Sequence, residues 1–140
     1  DRYYWSNIRT APDGMFGDIV TDIPQPKDRK IMFKDIVEGG AVKVDKHTCL
    51  VERTIASASY KDMESEKAQK FLKERESRSM MSLIEEKGYF RMVNKVEMCR
   101  LQGFPDDWCD ILSYREAGSL LGDGWTLPII EHIFSFINER

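Results

Sequence analysis

Apolar positions along the chain change their spacing several times, and each change marks an expected element. Residues 2–8 (RYYWSNI) are dense in aromatic side chains and predict a strand leaving a core. From residue 9 to about residue 30 the apolar positions thin out, and Pro12, Gly14, Gly17, Pro24 and Pro26 predict a loop. Residues 31–37 (IMFKDIV) form a short apolar segment stopped by Gly39 and Gly40; a strand and a single helical turn explain it equally well. Residues 47–55 (HTCLVERTI) are β-branched and predict another strand.

Between residues 61 and 87 the composition shifts to Glu, Lys, Arg, Met and Leu. Ala68, Phe71 and Leu72 recur at helical spacing, and Met80, Met81 and Ile84 repeat the pattern. Two helices are expected, separated at Ser77 and Ser79, with Gly88 capping the second. Opposite charges one turn apart, such as Glu66 and Lys70, add small increments, and the charge run reads first as a solvated helix face. Three further helix starts follow. Asn94 with Glu97 forms a capping box that opens a helix ending near Gly103, and Ser113 with Glu116 opens a second over residues 114–121. Residues 122–125 (GDGW) break the chain, and Thr126 caps a final helix from Leu127 to about Asn138, with Pro128 tolerated in its first turn. Ile129, Ile130, Ile133, Phe134 and Ile137 form the apolar stripe of that helix.

Composition narrows the class. At 140 residues, 41% hydrophobic and 11% aromatic, the chain has the size and character of one globular domain. No window of about 18 apolar residues predicts a membrane span. The opening residues lack the basic-then-apolar layout of a signal peptide and an initiator Met, so an excised fragment or processed product is expected. The net charge of −3 excludes a whole-domain basic field and leaves room only for a local basic face. Cys49, Cys99 and Cys109 are odd in number and lack CxxC spacing, which argues against a disulfide framework or zinc site and for a reducing, cytoplasmic setting. His47 and His132 are too few and too far apart to suggest a metal centre.

Three segments then resemble, in the right order, the cytosine-5 DNA methyltransferases. Arg91 followed by Glu97-Met98-Cys99-Arg100-Leu101-Gln102-Gly103-Phe104-Pro105 resembles one C-terminal conserved block of that family, and residues 121–134 (LGDGWTLPIIEHIF) resemble the last. Residues 1–7 (DRYYWSN) resemble the tail of its Arg-x-Arg block, closest in style to phage-type bacterial and animal de novo enzymes. The resemblance implies that Arg2 hydrogen-bonds the flipped-out cytosine. It implies that the block of Arg91, Glu97, Arg100, Gln102, Gly103, Phe104 and Pro105 supports the target-recognition domain and joins it to the catalytic core. It implies too that Asp123, Gly124 and Trp125 line the S-adenosylmethionine pocket, with Asp123 standing where the family usually has Asn.

The implied organisation is a last core strand over residues 1–8, a linker over 9–38, a target-recognition region over 39–90 and helical conserved blocks over 91–140. The fold expected is α+β, a small irregular recognition region plus C-terminal helices. In the intact enzyme these would dock on a doubly wound, Rossmann-like methyltransferase sheet. Read without the family, Arg100 in a capped helix holds a carboxylate or carbonyl, and Gln102 to Pro105 is a helix stop with Phe104 filling a core gap. Trp125 suits either a core or a cofactor wall, and the cysteines read as small buried or unreactive thiols.

The chemistry of that family needs groups that this chain lacks. Cytosine C5 becomes nucleophilic only after a cysteine thiolate adds to C6 of a base swung out of the duplex. The nucleophile sits in a Pro-Cys loop, whereas the five prolines here precede Asp13, Gln25, Lys27, Asp106 and Ile129. Neither a Glu-Asn-Val triplet nor a Phe-x-Gly-x-Gly cofactor loop occurs. The expectation is therefore the C-terminal portion of a DNA methyltransferase acting on double-stranded DNA, inactive without its catalytic region. Alternatives are the small partner-binding subunit of a split methyltransferase and a catalytically dead DNA-binding or regulatory module. The stripe of the last helix would also permit a dimer of this chain.

Overall fold

The computed structural model describes residues 8, 11–13, 15, 18–50 and 63–137. The protein is α+β and divides into two compact units, Lys30–Thr126 and a second formed by Asp1–Arg29 with Leu127–Arg140. Among the described residues no helix is long and apolar enough to cross a membrane. The strand expected over residues 2–8 lies outside the described residues except for Ile8, which belongs to no regular element.

In the smaller unit the expected loop contains a short hairpin. Strands β1 (Ala11–Asp13) and β2 (Asp18–Val20) pair antiparallel with Ala11 opposite Val20. Pro12 sits in β1, which a two-stranded ribbon tolerates because one side of each strand needs no ladder bond. The final helix runs over Leu127–Phe134, about one turn shorter than the stripe predicts. The His132 ring bonds the Pro24 carbonyl at 2.7 Å and meets Phe136 edge-on.

The larger unit is built around a three-stranded antiparallel sheet, ordered β3 (Ala41–Val42), β4 (Ile84–Glu86), β5 (Tyr89–Arg91). Residues 31–37 resolve into a single 3-10 turn at Phe33–Asp35, where Asp35 accepts from the Met32 N–H and Phe33 is buried edge-on against His47. Residues 47–50 form no strand, and 51–55 lie outside the described residues. Helix α1 (Glu66–Ser77) forms as expected, its first turn capped by Ser65.

The second helix expected before Gly88 is instead the β4–β5 hairpin. Lys87 (φ 52°) and Gly88 (φ 86°) both take left-handed backbone and make the two-residue turn that matches the twist of paired strands. Met80, Met81 and Ile84 fit a helical spacing, but cross-strand pairing of Ile84 with Arg91 and Glu86 with Tyr89 wins. Phe90, opposite Glu85, points its backbone N–H and C=O away from β4. The Gln69 side chain of α1 fills that edge: its amide donates to the Phe90 carbonyl at 2.8 Å and its oxygen accepts from the Phe90 N–H at 2.8 Å. A side-chain amide thus does the work of a fourth strand.

Helices α2 (Lys95–Gln102) and α3 (Tyr114–Asp123) complete this unit and pack on each other. Both capping boxes form, Asn94 with Glu97 and Ser113 with Glu116. Gly103 (φ 81°) ends α2: its N–H reaches the Arg100 carbonyl and the Phe104 N–H reaches that of Cys99, the paired bonds of a Schellman stop. Helix α3 continues through Gly122 and Asp123 before breaking at Gly124. Phe33, Leu50, Ile84, Val93, Met98, Cys99, Cys109, Ala117 and Leu121 form the main core, and Leu72, Met81 and Leu83 form a second cluster under α1.

Candidate functional site

Arg91 and Glu97, placed by the end of β5 and the first turn of α2, form the densest polar cluster in the described chain. The Glu97 carboxylate is fully buried and accepts four hydrogen bonds: from Arg91 Nη1 (2.8 Å) and Nη2 (3.0 Å), and from the backbone N–H groups of Asn94 (2.8 Å) and Glu38 (2.9 Å). All five guanidinium N–H donors of Arg91 are used. Besides Glu97 they reach Glu86 through Nε at 2.5 Å, the Met92 carbonyl at 3.1 Å and the Gly39 carbonyl at 2.9 Å. Burial alone would push the Glu97 carboxyl up, but Arg91 and the two backbone N–H groups outweigh it and hold it below the usual carboxylate range. The Glu97 contact in turn raises the guanidinium pKa of Arg91. With every donor engaged, Arg91 has no N–H left for an anion; the pair joins the sheet, α2 and the Glu38–Gly39 segment.

Arg100 leaves the same helix on its exposed side. It forms a two-pronged pair with Asp106 (Nε to Oδ1 2.8 Å, Nη2 to Oδ2 2.6 Å) and donates to the Ile36 carbonyl at 3.1 Å. It thus holds a carboxylate and a carbonyl, as its place in a capped helix suggests. The shared hydrogen bonds raise the Arg100 pKa and lower that of Asp106. Phe104 packs on the main core and stacks on the exposed Trp108 ring, centroids 5.1 Å apart, while the Pro105 carbonyl accepts from the Trp108 N–H.

Gln102 connects the two motif regions. Its buried amide donates to the Leu121 carbonyl at 2.7 Å, and its oxygen accepts from the Thr126 hydroxyl at 3.0 Å. Asp123, Gly124 and Trp125 lie between those two anchors. Gly124 closes α3 with its N–H on the Leu120 carbonyl, Asp123 is exposed, and Trp125 is 61% exposed. Trp125 is therefore not a core residue. Arg2 lies outside the described residues, so Arg91, Glu97, Arg100, Gln102, Gly103, Phe104 and Pro105 are brought together around α2, with Asp123 to Trp125 tethered to them through Gln102.

Three structural residues had no sequence signal. Lys95 points its ammonium at three carbonyls, of Cys109 (3.2 Å), Asp110 (3.1 Å) and Leu112 (2.9 Å), and so pins the turn between α2 and α3. Glu38 and Glu86 complete the Arg91–Glu97 cluster from segments that carry no motif. Cys99 and Cys109 are buried neighbours, and burial together with the Cys109 contact pushes the Cys99 thiol up to about 11; of the cysteines read as buried or unreactive thiols, Cys49 is exposed. Among the described residues no group of three His, Cys, Asp or Glu side chains is placed to hold a metal ion. Comparison with family models, with curated proteins and with solved structures returned no match.

Proposed function

We propose that this chain supplies the C-terminal portion of a DNA (cytosine-5)-methyltransferase, carrying target recognition and one wall of the S-adenosylmethionine pocket. The observation that carries this reading is Gln102, which ties the Glu97 to Pro105 stretch to the Asp123 to Trp125 stretch through Leu121 and Thr126. Those two stretches resemble separate conserved blocks of one family, and a shared structural role gives their co-occurrence a physical reason. The exposed Trp125 ring and Asp123 carboxylate suit a cofactor with an adenine to stack and a cationic centre to neutralise.

Methyl transfer to C5 of a flipped cytosine needs a thiolate within reach of C6. Cys99 and Cys109 are buried, the Cys99 thiol is held protonated, and Cys49 follows Thr48 rather than a proline. The nucleophile therefore belongs to a catalytic region outside these residues, which together with double-stranded DNA is the partner this reading requires. The test is to extend the coding sequence upstream, express the longer protein and measure transfer of labelled methyl groups from S-adenosylmethionine to duplex DNA. Transfer by the longer protein, lost when its Pro-Cys cysteine becomes serine and absent from the 140-residue chain alone, is expected. Turnover by the short chain, or none by the longer one, overturns the reading.

A further inference from the structure

Two ammonium groups share one aromatic ring on the surface of the unit Lys30–Thr126. Lys43 Nζ, just after β3, lies 5.0 Å from the centroid of the Phe90 ring, and Lys73 Nζ, on α1, lies 5.1 Å from it. The two charges are thus no more than about 10 Å apart. Both lysines are exposed, and among the described residues neither forms an ion pair with a carboxylate. The acidic side chains nearby leave them so. Glu74 is taken by Arg78 at 2.7 Å, and Glu85, opposite Phe90 in the sheet, makes no ion pair with either lysine. Lys70, one turn before Lys73 on α1, is exposed as well.

The arrangement is built from three separate elements. Phe90 is held by Gln69 through both of its backbone groups, and its ring face attracts each ammonium. With a screening length of about 8 Å at physiological salt, two ammonium groups held within about 10 Å of each other repel weakly and more strongly at lower salt. A ligand carrying closely spaced negative charges would relieve that repulsion. Duplex DNA presents one phosphate charge per about 1.7 Å of axis, so two cations within about 10 Å of each other can face neighbouring phosphates of its backbone.

We propose that Lys43 and Lys73, braced by Phe90, form a phosphate-backbone contact for double-stranded DNA. The inference rests on duplex DNA being the substrate, and it identifies which residues of the recognition region hold the backbone. Such contacts position the protein on DNA and carry no sequence information, so base readout falls to other side chains.

The experiment is a fluorescence-anisotropy titration of a labelled duplex with the 140-residue chain, over salt from about 50 to 200 mM, where phosphate contacts dominate affinity. Wild type is compared with a Lys43→Gln/Lys73→Gln variant and with a Lys27→Gln/Lys34→Gln variant, which removes equal charge from two other exposed lysines. Circular dichroism checks that all three fold alike. Losing two phosphate contacts lowers the slope of log affinity against log salt by about 1.8, so the affinity lost across that salt range shrinks by about tenfold. The control pair should leave the slope at its wild-type value.

An unchanged slope in the Lys43/Lys73 variant, an equal change in both variants, or no duplex binding by wild type at about 50 mM salt overturns the proposal. The methyl-transfer assay reports separately. Lysine-dependent binding without methyl transfer by the longer protein keeps this surface and removes the enzyme reading, and the converse result does the reverse.

Discussion

Removing Arg91 tests the largest single electrostatic commitment in this structure. In an Arg91→Met variant the Glu97 carboxylate stays fully buried and keeps only the Asn94 and Glu38 N–H groups as partners, while Glu86 and the Gly39 and Met92 carbonyls each lose a donor. Breaking a buried pair by deleting one partner costs about 3–5 kcal/mol, because the remaining charge is left uncompensated. That is a large share of the roughly 5–15 kcal/mol available to a domain of this size. Glu97→Gln destabilises for the opposite reason: the guanidinium loses its charged acceptor, and the new amide group faces donors. Urea unfolding of both single variants and the double variant forms a cycle, and the double should cost less than the singles together by about 1–3 kcal/mol.

Acid unfolding gives an independent reading of the same pair. The folded carboxyl of Glu97 is held below its unfolded value of about 4.3, so its contribution is complete above that pH and is lost as the pH falls through the folded value. Asp106 and Glu116 are lowered as well, by Arg100 and by Ser113, and add to the same acid decline. Burial lowers the His47 imidazole pKa, so the urea midpoint should begin to fall below that group's unfolded value of about 6.5, and fall further below about pH 4, the second step being shallower in Glu97→Gln. Additive single variants, or a loss under about 1 kcal/mol for Arg91→Met, would refute the claim that this buried pair ties the unit together.

Three further outcomes follow from local geometry. Gly122→Ala should lower the melting temperature although alanine is the better helix former by about 1 kcal/mol, because its Cβ would lie 2.9 Å from the Leu50 backbone oxygen; a rise in melting temperature would show that this contact yields freely. Lys87→Asn should stabilise by a few tenths to about 1 kcal/mol in urea titrations, since asparagine accepts the left-handed backbone that lysine strains to adopt beside Gly88. Iodoacetamide at pH 8 should label Cys49 in the folded protein and spare Cys99 and Cys109 until urea is added, as counted by mass spectrometry; rapid labelling of all three would contradict the buried thiol pair.

Local signals carried a large part of this fold. The capping boxes at Asn94 and Ser113, the Gly103 stop and helix α1 need only neighbours within a turn or two, and each forms where its residues predict. The structural duty of Arg100 was legible for the same reason, since a charged side chain on a short capped helix ends near the chain's next turn. The stretch from Met80 to Gly88 was not legible. Its apolar spacing suits a helix, and the outcome depended on a left-handed Lys87–Gly88 turn and on β3 arriving from more than forty residues away to pair with β4.

The duties of the motif residues were likewise decided by tertiary contacts. Sequence placed Glu97 in a capping box, but only the fold brought it the Glu38 N–H and all of Arg91's nearby reach, turning a helix start into a buried junction. Sequence placed Gln102 before a helix stop, but only the packing of α2 on α3 brought it to Leu121 and Thr126. Helix caps are settled by short-range hydrogen bonds that the order of residues already contains. A buried charge or a bridging amide is settled by which distant backbone groups need a partner, and that is known only once the chain has folded.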